Sequence, residues 1–305
     1  MALGPENLYE VDSDLPDLRG AVLLQCMDGF MDAGSAGRTL ADHLLSVLEH
    51  RVVARFDVDR LIDYRSRRPI MTYVTDHWAD YQAPEIVIHV LTDSAGTQFL
   101  LLTGLEPDHE WERFASAVRE LVDEWGVRLT VAFHGIPMGA PHTRPLGVTA
   151  HGSRTELVAG HRPLFNRIQV PASIGALLEY RLAESGHDAL GFAAHVPHYL
   201  ANATYPAAAL TLLNSVAQAT QLSLPEDALR EAARRTDAEI NKQVEDSAEV
   251  AEVVRGLERQ YDTFAEASGR ESLLIDSEGS LPTADELGSE FERFLAEQAN
   301  PDSRE

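Results

Sequence analysis

Six short runs of this chain are apolar at nearly every position: residues 21–26, 52–56, 86–91, 99–103, 129–133 and 189–195. Runs of that length without alternation are the pattern of strands buried on both faces. Between them lie stretches with helical spacing. Leu40, Leu44, Leu45 and Leu48 fall on one face of a predicted helix over 38–49, the stripe a sheet-covering helix needs, each worth about 1.5 to 3 kcal/mol when buried. Trp111, Phe114, Val118, Leu121, Val122 and Trp125 mark a second helix over 110–124 that stops at Gly126. A third is predicted over 173–184, before Gly186, and a fourth from Pro206 to 221 that is apolar on nearly every side and so belongs in the interior.

The runs at 86–91 and 99–103 are joined by Asp93-Ser94-Ala95-Gly96, a turn chemistry that suits an antiparallel pair. The polar excursion 57–81 contains Arg65, Arg67 and Arg68 and a β-rich piece at 70–74, and reads as a hairpin or flap. Residues 134–145 carry so many Gly and Pro that neither a helix nor a central strand is expected, only a shaped loop. Ser223-x-x-Glu226 has capping-box spacing and is expected to open a long helical segment to about Ala267. Along it Ile240, Val244, Ser247, Ala251, Val254, Glu258, Tyr261 and Ala265 form a two-position seam. A polar stretch, 268–280, and a last helix with Leu287, Phe291, Phe294 and Leu295 on one face complete the chain. Strands alternating with helices predict an α/β fold, a mostly parallel sheet covered on both faces over residues 1–222, with an acidic helical extension over 223–305.

Composition narrows the function. The formal charge is −24, and residues 225–305 hold 22 acids against 9 bases. Such a surface repels phosphate backbones and anionic lipid, so neither nucleic acid nor membrane is an expected partner. The longest apolar stretches fall short of a bilayer span, the acidic first 18 residues do not read as a signal peptide, and the single cysteine, Cys26, forms no internal disulfide. A cytoplasmic protein is expected. Lys242, the only lysine, lies in a charged helical run, which suits neither a phosphate loop nor a Schiff base.

Candidate chemistry gathers at strand ends. The turn at 28–37 carries Asp28 and Asp32 with Gly29, Gly34 and Gly37; Asp93 and Ser94 follow the third run; His134, His142 and Arg144 follow the fifth; His195 and His198 follow the sixth. If the strands are parallel these groups face one crevice. The Asp pair would then serve as acid/base or metal groups, the histidines as general acids or ligands, and His142 with Arg144 as an anion clamp. The alternative is structural: the aspartates satisfy helix-start amides and the histidines bond within tight loops. No spacing indicates a metal or a cofactor, and none is expected. Gly-x-Ser-x-Gly, His-Glu-x-x-His and Gly-x-Gly-x-x-Gly are all absent.

Four stretches together resemble the bacterial, high-GC branch of the proteasome assembly chaperone 2 (PAC2) family. They are Asp28-Gly29-Phe30-Met31-Asp32-Ala33-Gly34 with the helix after it, Phe133-His134-Gly135-Ile136-Pro137-Met138 with Pro141-His142-Thr143-Arg144, Ala193-Ala194-His195-Val196-Pro197-His198-Tyr199, and Tyr205-Pro206-Ala207-Ala208-Ala209-Leu210. The likeness spans about residues 18–265. It implies a three-layer α/β/α sandwich with a mixed, mostly parallel sheet, similar to purine nucleoside phosphorylase-like folds. It also implies homo-oligomerisation and an assembly-chaperone role with protein partners, proteasome subunits among them. Proteasome-binding relatives often end in a hydrophobic residue, a tyrosine and one more residue; this chain ends Asp302-Ser303-Arg304-Glu305. The alternative is an enzyme, phosphorylase- or hydrolase-like, acting on a small anionic or nucleoside-like substrate in the crevice.

Overall fold

In the computed structural model, which describes residues 8–161, 163 and 167–274, the chain first forms β1 (Tyr9–Val11), β2 (Val22–Asp28), α1 (Ala36–Val47), β3 (His50–Phe56) and the short α2 (Val58–Leu61). There follow β4 (Met71–Val74), β5 (His77–Tyr81), β6 (Ile86–Thr92), β7 (Gln98–Leu105), α3 (Trp111–Trp125), β8 (Leu129–Met138) and β9 (Val148–Gly152). The last elements are α4 (Ile174–Glu184), β10 (Ala189–Pro197), α5 (Pro206–Thr220), α6 (Asp227–Glu245) and α7 (Ala248–Leu274). The chain divides into two compact units, Met1–Glu258 and Arg259–Glu305. In the second, the described residues are the end of α7.

Eight strands form one sheet in the order β1-β3-β6-β7-β2-β8-β10-β9. The four central strands, β7, β2, β8 and β10, run parallel, and the outer pairs are antiparallel. Because side chains alternate along a strand, the uninterrupted apolar runs feed two cores. Leu23, Leu100 and Leu102 meet α3 and α4 on one face, while Val22, Leu24, Phe99 and Leu101 meet α1 and α5 on the other. The result is a three-layer α/β/α sandwich. Helix α5 starts with Pro206 in its first turn and is buried along Ala208, Ala209, Leu212, Leu213 and Val216, because α6 packs outside it. The hairpin β4–β5 forms its own two-stranded sheet. Among the described residues no helix is long and apolar enough to cross a membrane.

Four expectations need correction. Residues 134–138 are not loop: β8 continues through His134, Gly135, Ile136 and Pro137 to Met138, paired with β10 along its whole length. Proline is tolerated there because β2 leaves β8 at Ala132, so from that point β8 has a partner on one side only. The segment after residue 223 is not one helix to Ala267. It breaks after Glu245, where Ser247 Oγ accepts the Val250 N–H (3.4 Å) and so caps α7, the local bonding by which serine ends one helix and starts another. Ser223 forms no capping box: its N–H donates to Asp93 Oδ2 (2.8 Å), and Glu226 takes the cap position without its side chain bonding a helix-start amide. Helix α7 also continues to Leu274, so residues 268–274 of the expected polar stretch are helical; its end, 275–280, and the last predicted helix, with Leu287 to Leu295, lie outside the described residues.

Asp93 shows how the α5–α6 connection is held. Its carboxylate is buried and accepts from the N–H groups of Ala95 (2.9 Å), Thr97 (2.7 Å) and Ser223 (2.8 Å). Asp93→Ala should leave these amides unanswered and lower unfolding stability by about 2 kcal/mol or more, read as a shifted urea midpoint. An unchanged midpoint would show that water replaces the carboxylate without penalty.

Candidate functional site

The chain leaves β2 toward the α1 face and leaves the adjacent β7 toward the α3 face, so the crevice of this open sheet lies between the carboxyl ends of these two strands. Two carboxylates stand there. Asp28 is half-exposed and accepts from Arg38 Nη1 (3.2 Å). Glu106 is buried just past β7. Its Oε1 accepts the Ile174 N–H (2.7 Å), the first amide of α4, and its Oε2 accepts the Phe30 N–H (3.2 Å). A negative group at a helix start is favourable, and this one also draws the β2 turn onto α4. Gly29 permits the approach, since a Cβ there would overlap the Glu106 carboxylate. Arg67 closes the opening from the side. It donates to the Glu106 carbonyl (2.9 Å) and pairs with Asp108 (3.2 Å). Structural bonds therefore engage Glu106 and Arg67, while Asp28 to Met31 stay exposed.

Asp32 binds the turn to the sheet. Its Oδ1 accepts from Gly37 N–H (2.9 Å) and Gly135 N–H (2.9 Å), and its Oδ2 from Arg38 N–H (3.0 Å). The two glycines are steric requirements. A Cβ at Gly37 would sit 2.8 Å from the Phe133 carbonyl oxygen, and one at Gly135 would overlap that of Ala33.

His134 and His195 lie on the α4 face of the sheet, opposite Phe133, Ala194 and Val196, which lie in the α1–α5 core. On the neighbouring β9, Thr149 Oγ1 is 2.8 Å from His195 Nε2, and His151 Nδ1 is 2.9 Å from Glu179 on α4. Burial pushes His134 and His195 below the usual histidine range, with the nearby His151 adding to the effect on His134. Burial acts the same way on His151, but the bond to Glu179 and its charge reverse the balance, and the net shift is upward.

His142 and Arg144 sit on the other side, against the α-helical end. Tyr199 hydroxyl accepts the His142 N–H (2.9 Å) and lies 2.7 Å from Nδ1, while Nε2 is 3.1 Å from Asn241 Oδ1. Since that oxygen only accepts, Nε2 carries the proton and Nδ1 takes the tyrosine's. Arg144 Nη1 pairs with Glu258 (3.2 Å), which also accepts from Thr143 Oγ1 (2.6 Å). His198 is exposed, edge-on to Tyr199. The seven candidates thus fall into separate groups: Asp28 and Asp32 at the β2 turn, His134 and His195 on the α4 face, and His142, Arg144 and His198 beside Tyr199, α6 and α7. Asp93 stands at the opposite end of the sheet, because β6 runs antiparallel to β7.

Sequence reasoning missed Glu106, although a carboxylate directly following an apolar strand was a readable signal, and it missed the partners Thr149, His151 and Glu179, which only pairing of β9 with β10 brings into place. Among the described residues no group of three or more His, Cys, Asp or Glu is placed to hold a metal ion.

The fold and these loops define a three-layer α/β/α protein with helices appended after α5. The chain belongs to the PAC2 family, which it matches over residues 26–244. Among solved structures it is similar to the Mycobacterium tuberculosis unknown function protein Rv2714, at 50% identity and a TM-score of 0.84, covering 88% of this chain and 92% of that one. A protein of unknown function from Corynebacterium glutamicum is 38% identical, with a TM-score of 0.82 and coverage of 86% and 99%. The Mycobacterium tuberculosis proteasome-assembly chaperone homologue Rv2125 shares the fold at 24% identity, with a TM-score of 0.71 and coverage of 76% and 99%. No curated protein matches the chain.

The His151–Glu179 pair carries a pH signature. A raised histidine stabilises the fold fully below its unfolded value near 6.5, and that contribution fades as pH rises through the folded value. Glu179→Gln should therefore lower stability at pH 6 by up to about 1 kcal/mol, since both groups are only partly buried, and by less at pH 9. Equal losses at both pH values in urea titrations would assign Glu179 a packing role instead.

Proposed function

We propose that this protein acts by binding other proteins, as an assembly-chaperone-like member of its family, and that it self-associates through the β4–β5 hairpin. The hairpin carries the reading. Every residue of both strands is exposed, including Met71, Tyr73, Val74, Trp78 and Tyr81, with Ile70 beside them; Trp78 and Ile70 are each 63% accessible. Tyr73 and Trp78 hold their rings edge to face at 5.1 Å, so the aromatic surface is formed. A two-stranded sheet has little stability alone, and so large an apolar patch, rich in Tyr, Trp and Met, has the composition of an interface core.

Family membership supports the same reading, and the shared fold with Rv2125, a proteasome-assembly chaperone homologue, makes proteasome components the protein partners to test. In this view the acidic residues after 222 speed encounter with a basic partner, an effect that weakens as salt rises. The catalytic alternative needs the strand-end groups to act on one substrate; that Asp28 is paired with Arg38, Arg144 with Glu258 and His195 with Thr149 supports the binding reading.

Light scattering during size exclusion should give a multiple of 33.5 kDa. The double variant Tyr73→Ser, Trp78→Ser should elute at the monomer mass with an unchanged circular dichroism spectrum. A wild-type monomer at micromolar concentration would overturn self-association. Mixing with purified proteasome α subunits from the same organism should give a co-eluting complex, and separate elution would remove the proteasome as partner.

A further inference from the structure

Between α5, α6 and the β8–β9 connection lies a groove of about 340 Å³, within the size range of small-molecule sites. Its lining is rich in arginine for so acidic a chain. The chain has 49 acids against 25 bases, yet Arg144, Arg230 and Arg234 line this groove with a single carboxylate, Asp237. Leu146 and Leu210 supply apolar wall.

Each arginine is held by an exchangeable partner. Arg230 pairs with Glu226 (2.6 Å) and Arg234 with Glu231 (2.7 Å), both pairs on the solvent-facing part of α6, and Arg144 with Glu258. The two exposed pairs on α6 contribute roughly 0 to 1 kcal/mol each, so an incoming anion displaces them at little penalty; the Arg144–Glu258 pair is part-buried. The carboxylate is the second, independent observation. Asp237 Oδ1 is buried and without a hydrogen-bond partner among the described residues. Burial raises Asp237 above the usual carboxylate range, while His142 and the Tyr205 hydroxyl oppose that shift. The carboxylate as a whole is part-buried beside the Tyr205 hydroxyl, so its Oδ1 can take a donor from a bound ligand without being required to.

We propose that this groove is a binding site for a small organic anion, a carboxylate or a phosphate ester. Its charged head is held by Arg230 and Arg234 with Arg144, its apolar body lies against Leu146 and Leu210, and a hydroxyl or amino donor reaches Asp237. The ligand is a class apart from the protein partners proposed above, and the site stands or falls without them.

Isothermal titration of the full chain at constant ionic strength tests it with three probes: 3-phenyllactate, phenyl phosphate and the neutral 2-phenylethanol. One or both anions should bind saturably at one site per chain and the alcohol should not, and which anion binds separates carboxylate from phosphate. The variant Arg230→Gln, Arg234→Gln, altered on the exposed part of α6, should keep the wild-type melting temperature and bind at least tenfold more weakly. The Asp237→Asn variant should lose most of the preference for 3-phenyllactate over 3-phenylpropionate, which lacks the hydroxyl. The proposal is overturned if neither anion saturates at millimolar concentration, if the alcohol binds as well, or if the double arginine variant binds unchanged. Self-association should be the same in all variants, so failure here is separate from failure of the hairpin reading.

Discussion

Backbone amides from two distant segments of the chain end on one carboxylate, that of Asp32, and much of the architecture follows from this. Charge-assisted bonds to Gly37, Arg38 and Gly135 join the turn after β2 to the start of α1 and to the far half of β8. With the turn held there, Ala36, Leu40 and Leu44 face the sheet, and β8 is fixed where β2 no longer pairs with it. Gly37 and Gly135 let the segments approach within a distance that any side chain would prevent. Glu106 repeats the device on the other side of the same turn, tying Phe30 to the first amide of α4.

These two carboxylates are engaged in structural bonds at the place where an open α/β sheet usually binds its ligand, although Asp28 to Met31 stay exposed there. Two further accessible features lie away from it: an aromatic hairpin attached between β3 and β6, and an arginine-lined groove formed where α6 covers α5. A sheet whose strand-end turns are tied together by buried bonds is a scaffold suited to displaying such surfaces. That is the physical sense in which family membership and the exposed hairpin agree.

Much of this was legible in the sequence. The two-sided strands, the helices over α1, α3, α4 and α5, the hairpin and the antiparallel β6–β7 pair follow from periodicity and turn chemistry, because each depends on contacts that a local pattern records. The errors have local causes too. Pro137 and Gly135 argued against a strand, yet that half of β8 needs partners on one side only, which depends on where β2 ends. Ser223 carried the spacing of a cap, but Asp93, remote in sequence, claims its amide. The candidate site was legible as a set of residues and not as an arrangement. Whether His134 and His142 share a face is decided by the pairing of β8 and by the path of the chain after Met138, and neither is written in spacing.

Hydrogen exchange of the wild-type protein, followed by mass spectrometry, tests the central claim that the strand-end turn is part of the rigid sheet. The amides of residues 30–38 and 133–138 should exchange together, as slowly as those of β2 and β10, because Asp32 and Glu106 hold them to the same framework. Fast exchange of residues 30–38 alone, against slow exchange in β8, would contradict the account and show an open, mobile mouth at the centre of the sheet.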